Sequence, residues 1–149
     1  MNIDNLRKTI ETWENKHNYK SYFSSLNNPY GLNAEPKIID GKFILKYKIE
    51  KKHMGIPNFA FGGISFSLLD GLMGWFIMTN YDKIGITLTN TIKYYNPLIL
   101  NETYIFETRE NKKINNNTIS LIGEVKNNDD ILCVESKSIF LLKNELINF

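Results

Sequence analysis

Residues 61–78, FGGISFSLLDGLMGWFIM, are apolar on nearly every side, broken only by Ser65, Ser67 and Asp70. Their register is helical. Ile64, Leu68, Leu72 and Phe76 form one stripe and Leu69, Met73 and Ile77 the adjacent one, which predicts a helix buried all round. A membrane span needs about 20 predominantly apolar residues, so the segment is too short and too interrupted for one. Gly62, Gly63, Gly71 and Gly74 each weaken a helix by about 1 kcal/mol relative to Ala. Close approach by other backbone is the expected compensation.

The rest of the chain must cover this helix. At 149 residues, with 42% hydrophobic and 23% charged residues, it is long enough for one domain and not for two of ordinary size. The N-terminus reads as an amphipathic helix over residues 1–18, with Ile3, Leu6, Ile10 and Trp13 spaced by three and four. Asn27-Asn28-Pro29-Tyr30-Gly31 is a turn cluster, and Asp40-Gly41 favours a type I′ hairpin between residues 37–40 and 42–50. Period two then holds over 85–95, 103–110, 118–126 and 131–142, predicting four strands. The short Asn-rich connections between them suggest an antiparallel meander or a close relative. The predicted class is α+β: an antiparallel sheet wrapped around a central buried helix, with an N-terminal helix.

Charge and cysteine content exclude several functions. The 18 basic and 16 acidic residues leave +2, and only Arg7 and Arg109 are arginines, which argues against nucleic-acid binding. Cys133 is the lone cysteine and reads as a small core residue. Charged residues interrupt the first apolar run, so no signal peptide is expected and a reducing cytoplasmic setting is the default. Two histidines and one cysteine do not make an ordinary zinc site, and the glycines match neither a phosphate loop nor a dinucleotide fingerprint.

Asp70 is then the residue to explain. A carboxylate amid apolar neighbours either faces a wet seam and bonds nearby backbone, or works at an active site. Gly62-Gly63 opens the same helix, where free N–H groups can polarise a carbonyl, although a simple turn into the helix explains the pair as well. Seven residues separate Gly63 from Asp70, about 10 Å of helix rise. A carbonyl held at Gly63 is thus beyond its own Asp70, and a second subunit across a two-fold axis is the way to join them.

These residues resemble the hotdog-fold thioesterase superfamily, in particular its PaaI-like branch. The family's His-Gly-Gly, Leu-Asp-Glu and Met-Gly elements correspond to Phe61-Gly62-Gly63, Leu69-Asp70-Gly71 and Met73-Gly74. Asn28-Pro29-Tyr30-Gly31-Leu32 is similar to its Asn-Pro-x-Gly-Leu element, and the stretch from Gly85 to Pro97 to its strand after the helix. The hotdog core spans residues 28–142 of a single 1–149 domain. The resemblance implies an acyl-CoA thioesterase acting on acyl-CoA or acyl-carrier-protein thioesters. It implies a cytoplasmic homodimer or dimer of dimers, with no metal and no cofactor beyond the CoA moiety of the substrate, and no nucleic-acid or membrane partner.

Residue by residue, Gly63 would supply the oxyanion amide, and Asp70 of the partner subunit the general base or nucleophile. Thr87 matches a position where some members keep Ser or Thr near the attacking water. Phe61, Gly62 and Asn58 would border the substrate, with Lys112, Lys113 and Lys137 as candidates for the CoA phosphates. Phe66, Trp75, Phe76 and Tyr104 are candidates for lining an acyl tunnel. The sequence departs from the family at three places: Phe61 replaces the histidine, Gly71 the frequent acid, and the preceding Asn or Gln has only the offset Asn58. A non-catalytic acyl-CoA-binding or regulatory protein is therefore the alternative, and a scaffold dimer the plainest one.

Overall fold

In the computed structural model, which describes residues 2–144, Asp40 and Gly41 take φ of 51° and 76°, the paired positive values of a type I′ turn. They join β1 (Lys37–Ile39) to β2 (Lys42–Lys48), along which Phe43, Leu45 and Tyr47 point inward. The ends of the expected 1–149 domain, residue 1 and residues 145–149, lie outside the described residues.

The N-terminal periodicity gives α1 (Ile3–His17), capped by Asn2, whose side chain accepts from the Asn5 N–H at 2.8 Å. Leu6 and Ile10 are its buried residues, and Asn18 ends it in the left-handed conformation. After β2 come a 3₁₀ turn (Lys51–His53) and a small hairpin, β3 (Met54–Ile56) with β4 (Phe59–Ala60), elements too short to show a period. The central helix, α2 (Gly62–Tyr81), runs three residues past the apolar segment. β5 (Ile84–Tyr94), β6 (Thr103–Asn115), β7 (Thr118–Lys126) and β8 (Leu132–Lys143) follow.

Six strands form one antiparallel sheet in the order β1-β2-β6-β7-β8-β5, with α2 against one face. β6, β7 and β8 form the expected meander. β5 departs from it: it pairs with β8 at the far edge, and residues 95–102 carry the chain back across the sheet to β6. The crossover is pinned by the small hairpin, through Ala60 N–H to Leu98 O at 2.8 Å and Leu100 N–H to Asn58 O at 3.0 Å. Local turn signals mark where a strand ends but carry no information about its partner.

Leu68, Leu69, Leu72, Met73 and Ile77 are fully buried between α2 and the sheet. At about 1.5–3 kcal/mol each, they outweigh the weakening from four glycines at about 1 kcal/mol each. Gly123, midway along β7, permits this approach: a Cβ there would lie 2.6 Å from Met73 Cε and 2.8 Å from a Leu69 methyl. The expectation of a helix buried all round is corrected. Gly63, Ser67, Asp70 and Gly74 are only half-buried and Phe66 is 39% exposed, because the sheet wraps one side of α2 and leaves a small-residue face open.

Candidate active site

The open face of α2 collects Gly63, Ser67, Asp70 and Gly74, at steps of four, three and four residues. At its N-terminal end, Phe61 is the N-cap residue and makes no side-chain cap bond. Its N–H donates to His53 O at 2.8 Å, and its carbonyl accepts from Ile64 N–H at 2.9 Å. The Gly62 and Gly63 N–H groups, in the first turn, have no helix carbonyl to meet. Their carbonyls are engaged: Tyr94 Oη donates to Gly62 O and Ser67 Oγ to Gly63 O, each at 2.9 Å. The end of the helix is thereby fixed while its donors stay directed outward.

About two turns further on, Thr87 Oγ1 donates to Asp70 Oδ1 at 2.7 Å. A bulge sets this geometry. The β5 register slips between Thr87, paired with Phe140, and Thr89, paired with Ile139, so Leu88 is the extra residue and Thr87 is turned toward the helix. Asp70 is half-buried and Thr87 exposed. Both border a cavity of about 250 Å³ walled by α1, the segment after it, α2 and the sheet. Gly62 borders a different cavity, of about 480 Å³, with Tyr94, Tyr95 and Pro97. Within one chain the helix end and the acid serve separate spaces, in keeping with the rise of about 10 Å between them.

Two positions that depart from the family pattern are explained by aromatic rings. Phe61 is 62% exposed and its ring lies on Gly63, where a Cβ would come within 2.4 Å of it. At Gly71 a Cβ would sit 2.2 Å from the ring of Phe23, which packs edge-on against Trp75 with centroids 6.3 Å apart. An acidic side chain has no room there.

The other predicted residues are not gathered at Asp70. Asn58 is exposed at the β3–β4 turn, with φ of 73°. Lys112 and Lys113 are exposed on β6, and Lys113 Nζ lies 5.2 Å from the centre of the Tyr81 ring, at the opposite end of α2 from Gly63. Tyr81 donates a hydrogen bond to Glu110, and its hydroxyl is pushed up to about 12, by burial first and Glu110 second. Lys137 is exposed between buried Ser136 and Ser138, on the face of the sheet away from α2. Of the tunnel candidates, Trp75 borders the Asp70 cavity. Phe66 is exposed, Phe76 packs on Phe43 with centroids 5.8 Å apart, and Tyr104 is buried in the core.

Several residues had no signal of their own in the sequence. Tyr94 holds the helix end, and Asn90, whose Nδ2 is buried without a partner, accepts from Ser136 Oγ at 2.8 Å beside Ser138. The small-residue spacing of Gly63, Ser67, Asp70 and Gly74 was the readable sign of an open helix face. Cys133 is buried and its thiol is raised, mainly by desolvation. Among the described residues there is no cluster of His, Cys, Asp and Glu that could hold a metal ion, and no helix long and apolar enough to cross a membrane.

No protein-family model matches this sequence, and no curated protein matches it. Solved structures do match its fold. A Streptococcus mutans protein bound to acetyl CoA superposes with a TM-score of 0.68 at 20% identity, covering 74% of this chain and 89% of its own. A hypothetical thioesterase from Streptococcus pneumoniae with coenzyme A gives 0.67 at 18%, covering 82% and 94%. The PaaI protein of the E. coli phenylacetic acid degradation operon gives 0.66 at 14%, covering 74% and 83%. The fold is therefore the hotdog fold that thioesterase superfamily structures share.

Proposed function

We propose that this chain is a PaaI-like hotdog thioesterase, a cytoplasmic homodimer or dimer of dimers that hydrolyses acyl-CoA or acyl-carrier-protein thioesters at a site shared between subunits. The observation that carries the reading is the 2.7 Å bond from Thr87 to Asp70, which fixes a half-buried carboxylate beside an apolar cavity. Support also comes from the fold neighbours, two of which hold acetyl CoA or coenzyme A. The lone buried cysteine suits a reducing compartment.

In this reading Thr87 holds one oxygen of Asp70 and leaves the other to face a water molecule. Asp70 takes a proton as the water oxygen bonds to the thioester carbon. The resulting oxyanion rests on the N–H of the partner's Gly63. The C–S bond then breaks, and the thiol leaves with the proton while the free acid remains. Direct attack by Asp70, with water opening the resulting anhydride, would use the same groups. The substrate brings its own CoA, and no further cofactor enters these steps.

Hydrolysis of a panel of short, medium and long acyl-CoAs tests the proposal, with Asp70→Asn expected to lose about 10²–10⁴-fold in kcat. Equal turnover by Asp70→Asn and wild type would overturn it. The second reading, an acyl-CoA binder without turnover, is favoured by the Phe61 ring on Gly63, which offers no donor to the carbonyl. Tight binding of acyl-CoA with no hydrolysis by wild type would select it.

A further inference from the structure

The cavity beside Asp70 is mainly apolar, with polar groups set among its walls. Asp70, Thr87, Ser21, Ser24 and the Tyr19 hydroxyl supply its polar groups. Ile10 and Trp13 of α1, Phe23 of the following segment, Trp75 and Met78 of α2, and Phe140 of β8 form the apolar walls. Thr87 is exposed whereas Ile10, Phe23, Trp75 and Phe140 are buried, so Thr87 marks the mouth and the buried side chains line the interior. At Gly74, on the same wall, an added Cβ would meet nothing within 4 Å, so the missing side chain leaves space facing the cavity.

We infer that this cavity is an acyl-chain pocket and that α1 is part of it, which makes Trp13 and Gly74 the residues that set chain length. The inference rests on the hydrolase reading above, since it runs the acyl chain inward from a carbonyl placed at Asp70. A volume of about 250 Å³ holds roughly eight groups of the 30 Å³ that a water molecule occupies. The substrate class is thus a straight apolar acyl group of about six to eight carbons. An acetyl group leaves most of the apolar wall uncovered. Acid and acyl pocket belong to one subunit, and the carbonyl reaches across to the other.

The chain has two tryptophans, Trp13 and Trp75, and both line this cavity, so their fluorescence reads its occupancy without any need for catalysis. The probe is S-octyl-CoA, a thioether with no carbonyl to hydrolyse, titrated into the full-length protein with CoA alone as the control. A saturable tryptophan response to S-octyl-CoA and none to CoA is expected. Gly74→Leu should abolish that response and lower the octanoyl-to-acetyl ratio of kcat/KM by about ten-fold or more. Trp13→Ala should move the preferred chain toward decanoyl. Gly74→Ala separates volume from folding, because its methyl touches nothing and its effect on the ratio should lie between wild type and Gly74→Leu.

The same response to both probes, or an octanoyl-to-acetyl ratio unchanged in Gly74→Leu, overturns the pocket. The hydrolase reading fails separately. A normal S-octyl-CoA response without turnover of any thioester would keep the pocket and remove the enzyme.

Discussion

Thr87 contributes one hydrogen bond, to a carboxylate, and its loss has a calculable size. A bond to a charged group contributes about 1.5–3 kcal/mol. Thr87→Val keeps the shape and deletes the donor, so kcat should fall about ten-fold to a hundred-fold by that range. Thr87→Ser, which restores the hydroxyl, should recover most of it; steady-state kinetics on one acyl-CoA reads the difference. His53, 3% exposed, shows the opposite use of a polar group. Glu50 N–H donates to its Nδ1 at 2.9 Å, so Nε2 carries the proton and meets Tyr47 Oη at 3.2 Å, while Tyr47 donates to Leu32 O at 2.7 Å. Protonating Nδ1 would set two donors against each other. Burial first, and Lys52 second, lower the His53 pKa below 6.5, with Glu50 opposing. The unfolded chain therefore binds the proton more readily, and stability is fully present above pH 6.5 and is lost as pH falls through the folded value. The urea midpoint should drop over that window, and His53→Leu should flatten the dependence.

Within α2, two glycines three residues apart should respond to alanine with opposite signs. Helix propensity alone favours both changes by about 1 kcal/mol. At Gly74 the new methyl meets nothing within 4 Å, so that gain should appear as a raised unfolding free energy. At Gly71 it would fall 2.2 Å from the Phe23 ring, so overpacking wins and about 1–3 kcal/mol should be lost. Equal effects in denaturant titrations would mean that the α2–Phe23 packing is wrong. The two α-helices and the strands of the large sheet were legible in the sequence, because period 3.6 and period two are properties of single segments; the 3₁₀ turn, β3 and β4 are too short for either. Asp40-Gly41 was legible for the same reason: its turn is local. The place of β5 was not, since pairing with β8 is decided by what both strands pack against. The open face of α2 is marked in the sequence by the small-residue spacing of Gly63, Ser67, Asp70 and Gly74, although the apolar run around it reads as burial on every side. At the candidate site, spacing and resemblance point to Gly63, Asp70 and Thr87. The hydrogen bond that joins Thr87 to Asp70, and the wall that Trp13 adds, depend on a bulge and on the docking of α1.

The proposed division of the site between two chains makes a prediction that no single-chain site shares. Asp70→Asn removes the acid, and Gly63→Pro, made together with Phe61→Ala so that the new ring has room, removes the amide donor in the first helical turn. Each variant alone should be inactive. After the two are mixed and allowed to exchange subunits, half of the dimers pair one of each and hold one intact site, so about a quarter of wild-type activity should return. No recovery on exchange would place acid and amide in one chain. The strand order adds a consequence for how copies of this protein associate. One border of the sheet is β1, three residues long and preceded by Pro36; the other is β5, eleven residues long. Only the second offers enough unpaired backbone to template another chain. In the proposed homodimer, antiparallel pairing of β5 with its own copy would consume that border on both molecules and leave two short ones, so growth would terminate at the first step and a filament would have no end on which to extend.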